Sequence, residues 1–115
     1  MNVILRRTFG LLDSSVEPAT SLLKAMANEH RLLILTKLAD REYSVKELER
    51  VTGLGQSALS QHLARLRRGR LVTTRKSAQT VFYRLADHKT REVLETLDNL
   101  YEREFETPLS RERTT

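Results

Sequence analysis

Residues suited to contact with a polyanion are concentrated in one stretch of this 115-residue chain. The 37 residues from Arg50 to Ala86 contain no Asp or Glu, although the chain has 15 acidic residues elsewhere. The same stretch carries eight Arg and Lys residues, so its net charge is +8, whereas that of the whole chain is +5. Because a carboxylate facing a row of phosphates would repel it, a nucleic-acid partner explains this pattern better than a chance run in a basic protein.

The side chains within this stretch suit contacts with bases and phosphates. If Leu59, Leu63 and Leu66 form the inner face of a helix, its outer face carries hydroxyls and amides near the N-terminus and arginines near the C-terminus. Gln can bond adenine bidentately, Ser can bond either base type, and Arg can neutralise phosphate. An ordinary solvated face would mix Glu with Lys, but this face has no acid. The residues predicted to contact DNA are Gln56, Ser57, Ser60, Gln61, His62, Arg65, Arg67, Arg68, Arg75, Lys76, Gln79 and Thr80.

Helix signals place the first of these residues in a helix-turn-helix. Ser44 and Glu47 have the spacing of a capping box at the start of a short helix, and Gly53 is suited to end that helix in a left-handed conformation. A second helix is predicted from Gly55 to Gly69. In this motif the second helix presents its first turns to the major groove of DNA.

A β-hairpin is predicted directly after the second helix. Leu71 to Arg75 and Thr80 to Leu85 alternate in character and are rich in Val, Thr and aromatic residues. The connecting residues 76–79 lack a tight-turn glycine, so we expect a longer, mobile loop. Arg75, Lys76 and Gln79 at the tip could reach flanking DNA or could protect an exposed strand edge. A helix-turn-helix followed by such a basic hairpin is a winged helix.

Three further helices are predicted around this unit. The first opens at Glu17-Pro18, and the second follows the capping residue Asn28. Residues 40–43 then form a polar connection. The last helix follows Asp87 and ends at Pro108.

The sequence predicts one winged helix-turn-helix domain that is mainly α with a small β-hairpin and that forms a dimer. The domain spans residues 16–106, with an N-terminal extension at 1–15 and a flexible tail at 107–115. One side of the last helix is too apolar to stay exposed in a monomer. The residues predicted at the dimer interface are Leu22, Met26, Val93, Leu97, Leu100 and Tyr101.

The sequence offers no site for an enzyme, a metal or a cofactor. It contains no cysteine and only three scattered histidines, which makes a transition-metal site improbable. Ser60 and His62 diverge on their helix and cannot form a catalytic pair, and no glycine-rich phosphate loop is present. The apolar run Val3 to Leu5 is shorter than the core of a signal peptide, and no run approaches a membrane span. We therefore expect a cytoplasmic protein without a membrane partner.

Four segments of the sequence together resemble the ArsR/SmtB family of regulators. They are Leu23 to Leu35, Gln56 to Arg67, Leu71-Val72 and Gln79 to Leu85. The resemblance covers about residues 21–101 and is nearest to the branch of HlyU, NolR and BigR-like regulators. It implies a homodimeric winged-helix repressor whose first and last helices form the dimer interface.

The departures from that family concern the sensing residues. Metal-sensing members have cysteines at the start of the first helix of the motif, where this chain has Tyr43 to Glu47. Others use an acid and histidines on the last helix, where this chain has Asp87 and His88 without a second histidine. Sulfur-sensing members have two cysteines at positions that are Thr36 and Glu102 in this chain. The resemblance therefore implies a regulator without thiol or classical metal sensing.

The predicted function is sequence-specific transcriptional regulation by a homodimeric repressor at inverted-repeat operators. Two alternatives remain open at this point. One is an anti-silencing or nucleoid-type protein of low sequence specificity, and the other is a winged helix that binds proteins. Gel-shift titration distinguishes these alternatives.

Overall fold

A computed structural model of the chain describes residues 10–105, apart from the side chains of Leu11 and Phe105. This part contains helices α1 (Gly10–Ser14), α2 (Val16–Met26), α3 (Glu29–Asp40), α4 (Val45–Thr52), α5 (Gln56–Arg68) and α6 (His88–Phe105). Its strands are β1 (Tyr43–Ser44), β2 (Val72–Ser77) and β3 (Thr80–Leu85). The predicted end of the last helix at Pro108 and the predicted tail at 107–115 lie outside the described residues.

Local capping interactions fix the starts of α3 and α4, as the sequence predicts. The Asn28 side chain accepts hydrogen bonds from the backbone N–H groups of His30 and Arg31, at 2.9 and 3.0 Å. Ser44 and Glu47 form a reciprocal capping box, in which each side chain accepts from the other residue's backbone N–H. Gly53 ends α4 with a φ of 74°, which confirms the left-handed turn between the two helices of the motif.

Leucines on the facing sides of α3, α4 and α5 form much of the hydrophobic core. Leu35, Leu48 and Leu59 are fully buried, and Leu63 and Leu66 complete the inner face predicted for α5. Arg31 ties α2 to α3, because its Nε donates to the Ala25 carbonyl at 2.6 Å. The core therefore holds α5 by one face and leaves the opposite face to solvent.

The sheet has three strands rather than the two of the predicted hairpin. Its order is β1-β3-β2, all antiparallel, with Tyr43 opposite Tyr83 and Ser44 opposite Phe82. The prediction of residues 40–43 as a polar connection is wrong at Tyr43, whose side chain is only 7% exposed. A strand of two residues is too short to show an alternating pattern, and its pairing partner lies far along the chain.

The turn of the hairpin is also tighter than predicted. Ser77 pairs with Thr80, so only Ala78 and Gln79 connect the two strands. Ala78 takes a φ of 56°, the left-handed region that tight hairpin turns require. A non-glycine residue adopts this region at a cost of roughly 1 kcal/mol, which the cross-strand pairing offsets here.

Two features near the N-terminus were not predicted. Residues Gly10–Ser14, within the predicted extension, form the short helix α1. Helix α2 begins at Val16, two residues before Pro18, which still lies in the first turn where proline is tolerated. Among the described residues, no helix is both long enough and apolar enough to cross a bilayer.

Candidate nucleic-acid interface

The outer face of α5 presents polar side chains to solvent. Gln56, Ser57, Ser60 and Gln61 are exposed, and within residues 10–105 their side chains form no hydrogen bond to protein groups. Ala64 is exposed on the same face and adds little bulk. The donors and acceptors of these four side chains can therefore meet the edges of bases.

The ends of α5 favour an anionic partner. Gly55 precedes the helix without a side-chain cap, so the first N–H groups remain open, and the first turn contains no acid. Arg65, Arg67 and Arg68 occupy the last turn, where their charges also complement the helix dipole. Arg67 and Arg68 are exposed, whereas Arg65 is half-buried. Phosphates can thus approach both ends of this helix.

One histidine of α3 and one of α5 lie close together, although no pattern in the sequence predicts this contact. The rings of His30 on α3 and His62 on α5 are 5.5 Å apart between centroids, with an interplanar angle of 45°. Partial burial lowers the pKa of His62, and the nearby charges of Arg31 and His30 lower it further. Within residues 10–105, no three His, Cys, Asp or Glu side chains lie close enough together to hold a metal ion. The pair therefore adds hydrogen-bonding groups beside the arginines of α5 rather than a metal centre.

The hairpin extends the surface of α5. A groove between them is lined by Ser60, Ala64 and Arg67 of α5 and by Tyr83 of β3. The remaining predicted contact residues lie in the outer half of the hairpin and are all exposed; they are Arg75, Lys76, Gln79 and Thr80. Helix α5 and the hairpin thus form one continuous polar and basic surface.

Glu42 is an acidic residue that the fold adds to this surface. Arg75 donates from Nε to both carboxylate oxygens of Glu42, at 3.0 and 3.1 Å, and from Nη2 to Oε1. The Arg75 guanidinium also lies 4.6 Å from the centre of the Phe82 ring. The hydrogen bonds lower the pKa of Glu42 and raise that of Arg75. The stretch 50–86 is free of acids in sequence, but the folded surface is not.

The predicted dimer residues divide into exposed and buried ones. Leu100 and Tyr101 on α6 are 50% and 58% exposed, and Leu22, Val93 and Leu97 are partly buried. Met26 is only 4% exposed because it packs into the protomer's own core. Leu23, one turn earlier on α2, is 56% exposed and is an apolar side chain that the protomer's own core leaves accessible.

Known proteins are similar to this chain in sequence and architecture. Residues 28–74 match the bacterial regulatory protein, arsR family. The transcriptional activator HlyU of Vibrio cholerae is 54% identical over 90 residues, which span 78% of this chain and 83% of HlyU. The solved structure of reduced HlyU superposes with a TM-score of 0.74 and 54% identity, and covers 78% of this chain and 95% of that one.

Two further solved structures extend the comparison. The transcriptional repressor BigR from Xylella fastidiosa matches with a TM-score of 0.78 and 33% identity, over 82% of this chain and 96% of BigR. A homodimeric winged helix-turn-helix DNA-binding domain from Mycobacterium bovis matches with a TM-score of 0.73 and 26% identity, over 82% of this chain and 87% of that domain. The chain therefore belongs to the arsR family of bacterial regulatory proteins and is a DNA-binding transcriptional regulator with a winged helix-turn-helix fold, not an enzyme.

Proposed function

We propose that this regulator is a homodimeric repressor that binds inverted-repeat operators and responds neither to thiol chemistry nor to a classical metal site. The observation that carries the proposal is the outer face of α5. Its exposed side chains Gln56, Ser57, Ser60 and Gln61 lie in the first turns of the helix. These turns are the ones that recognition helices present to base edges in the major groove.

Phosphate contacts surround this face in the proposed complex. Arg65, Arg67 and Arg68 at the end of α5, together with His62, face the backbone on either side of the major groove. Lys76, Gln79 and Thr80 of the hairpin reach the flanking DNA, and Arg75 lies beside them. Such contacts set the position of the protein on the duplex and carry little sequence information themselves.

A two-fold dimer places two copies of α5 on successive turns of the same face of DNA. In the proposed dimer, the exposed residues Leu23, Leu100 and Tyr101 supply apolar surface, to which Leu22, Val93 and Leu97 contribute their accessible parts. Two recognition helices related by a two-fold axis require half-sites about 34 Å apart, arranged as an inverted repeat. The relative from Mycobacterium bovis is described as homodimeric, which supports this arrangement.

We infer repression rather than activation because the described surface is suited to contact with DNA, and occupancy of promoter DNA is sufficient for repression. HlyU is named an activator and BigR a repressor, so the names of relatives point in both directions. A dimer that covers promoter DNA blocks polymerase by occupancy alone, without any contact to polymerase. In vitro transcription from a footprinted promoter tests this inference. We expect transcript to fall as operator occupancy rises, and a rise in transcript would contradict repression.

The proposed absence of thiol sensing follows from the composition. The chain contains no cysteine, and Thr36 and Glu102 stand where sulfur-sensing relatives carry thiols. Operator affinity should therefore be the same, within error, after treatment with zinc, arsenite, peroxide or polysulfide. Reversible loss of affinity with any one of these reagents would show a sensing route outside the described contacts.

Footprinting on genomic DNA followed by fluorescence anisotropy tests DNA recognition itself. We expect the operator to bind roughly 1,000-fold more tightly than random DNA at physiological salt, whereas a nucleoid-type protein would show a ratio near one. Arg68→Ala should lower the slope of log affinity against log salt by about one unit per protomer, on operator and random DNA alike. No DNA binding at all would favour the protein-interaction alternative.

A further inference from the structure

Glu42 occupies an unusual position for an acidic residue of a DNA-binding surface. It lies beside Arg75 and close to Arg84 on the sheet, and both arginines lower its pKa. The side chain is only 32% exposed, compared with 48% for that of Arg75. A carboxylate at this place repels phosphate, so its presence calls for a physical explanation.

The sheet fixes Glu42 relative to Arg75. Ser44 and Arg75 flank Phe82 from opposite sides, because β3 is the central strand of the three. Glu42 directly precedes β1, and its backbone carbonyl accepts a hydrogen bond from Arg41 Nη1 at 2.8 Å. The Arg41 guanidinium in turn lies 3.8 Å from the centre of the Tyr43 ring. The carboxylate therefore projects from a segment that is held on both sides.

The hydrogen bonds with Glu42 orient the Arg75 guanidinium, and the carboxylate also neutralises its charge. Glu42 occupies the edge formed by Nε and Nη2, and the ring of Phe82 restrains the plane of the group. Among the described residues, Nη1 of Arg75 has no hydrogen-bond partner, so the terminal edge of the fork remains available. A planar guanidinium can bind a carboxylate along one edge and a base or phosphate along the other.

We propose that Glu42 is a positioning residue that determines the DNA specificity of the hairpin. It holds Arg75 with the terminal edge directed outward for one oriented contact with operator DNA, and it cancels the charge that would otherwise bind any phosphate. This inference rests on the proposed function and deepens it. Its consequence is a higher ratio of operator affinity to random-DNA affinity, because the oriented contact is kept while non-specific attraction is reduced.

The test compares Glu42→Gln with a matched control, Glu49→Gln. Glu49 lies on α4, and the substitution removes the same charge from the same motif without touching an ion pair of the described residues. For Glu42→Gln we expect random-DNA affinity to rise about threefold and operator affinity to fall, so that their ratio drops by about tenfold. The control should change both affinities in the same direction and leave the ratio within about twofold.

The Arg75→Ala background shows whether Glu42 acts through Arg75. In that background Glu42→Gln should no longer change the affinity ratio, because the group that Glu42 orients is absent. Arg75→Lys should keep the random-DNA affinity but lose operator affinity, because an ammonium offers no planar edge. Thermal unfolding of all variants should agree within a few degrees, since an exposed ion pair contributes little to stability.

Two outcomes would overturn the inference. Equal increases in operator and random-DNA affinity for Glu42→Gln would mean that Glu42 only competes with phosphate for Arg75. If Glu42→Gln lowered the ratio of operator affinity to random-DNA affinity equally in the Arg75→Ala background, Glu42 would act through a residue other than Arg75. Measurements on the wild-type protein distinguish failure of this inference from failure of the proposed function. A wild-type protein that does not prefer operator DNA over random DNA contradicts the proposed function, whatever the effect of Glu42→Gln.

Discussion

Helices α5 and α6 are both half-buried, yet their exposed faces have opposite chemistry. The exposed face of α5 combines Gln, Ser and Arg and contains no acid. The exposed face of α6 carries apolar residues, Leu100 and Tyr101, among acidic ones. The difference shows that burial pattern alone does not define a partner. The polar and basic face suits a hydrated polyanion, whereas the apolar face suits a second protein surface.

A second contrast lies within the DNA-facing surface. Among residues 10–105, the predicted base-reading side chains of α5 make no hydrogen bonds to protein groups, whereas Arg75 of the hairpin is already paired with Glu42. Side chains without partners can adapt to different base edges, but a paired arginine has one orientation. Helix α5 and the hairpin therefore represent adaptable and preorganised recognition, respectively.

The largest expected effect comes from disrupting the apolar face of α6. Leu100→Glu places a charge on the proposed two-fold interface, where burial without a partner is costly. We expect monomers in analytical ultracentrifugation and an operator affinity lower by about 100-fold, because one recognition helix contacts only half a site. Asn99→Glu is the matched control, since it adds the same charge one residue earlier, at an exposed position of α6 that is not among the proposed interface residues. A dimeric Leu100→Glu variant would show that α6 is not the interface.

The next effect concerns the polar face of α5. Gln61→Ala should reduce operator binding by about 1–3 kcal/mol and random-DNA binding much less, because a bidentate contact with a base is lost. Fluorescence anisotropy on both DNAs measures the difference. Similar losses on the two DNAs would assign Gln61 to the backbone instead of the bases.

A smaller effect concerns the histidine pair beside α5. Because the folded state lowers the pKa of His62, the unfolded chain binds more protons below about pH 6.5, and folding stability should fall as the pH decreases through that value. His62→Gln should reduce this loss between pH 7.5 and pH 5.5 in thermal unfolding. His88→Gln, at the exposed start of α6, serves as the control. An unchanged pH dependence in His62→Gln would contradict the assignment.

The smallest effect concerns the start of α5. Gly55 has extended φ and ψ angles of −70° and 164° and open space around its Cα, so a side chain fits there. Gly55→Ser should supply the missing cap and stabilise the fold by a few tenths of a kcal/mol. Urea unfolding measures this gain. A loss of stability would mean that the first turn of α5 needs the freedom of glycine.

The amino-acid sequence by itself determined the features that depend on neighbours within about one helical turn. The Asn28 cap, the Ser44–Glu47 capping box and the left-handed Gly53 are such features, and the structure contains all three. The division of α5 into a buried leucine face and an exposed polar face follows from helical periodicity in the same way. The lack of cysteine also excluded thiol chemistry before any fold was known.

Tertiary structure alone decided which distant residues meet. Arg75 and Glu42 are 33 positions apart, and they meet because β1 pairs with β3. Strand β1 has only two residues and therefore leaves no periodic signal in the sequence. His30 and His62 meet because α3 packs against α5. The choice between Met26 and Leu23 for the outward side of α2 likewise depended on where the core lies. In each case the deciding energy comes from packing and pairing between separate elements, which local sequence patterns do not encode.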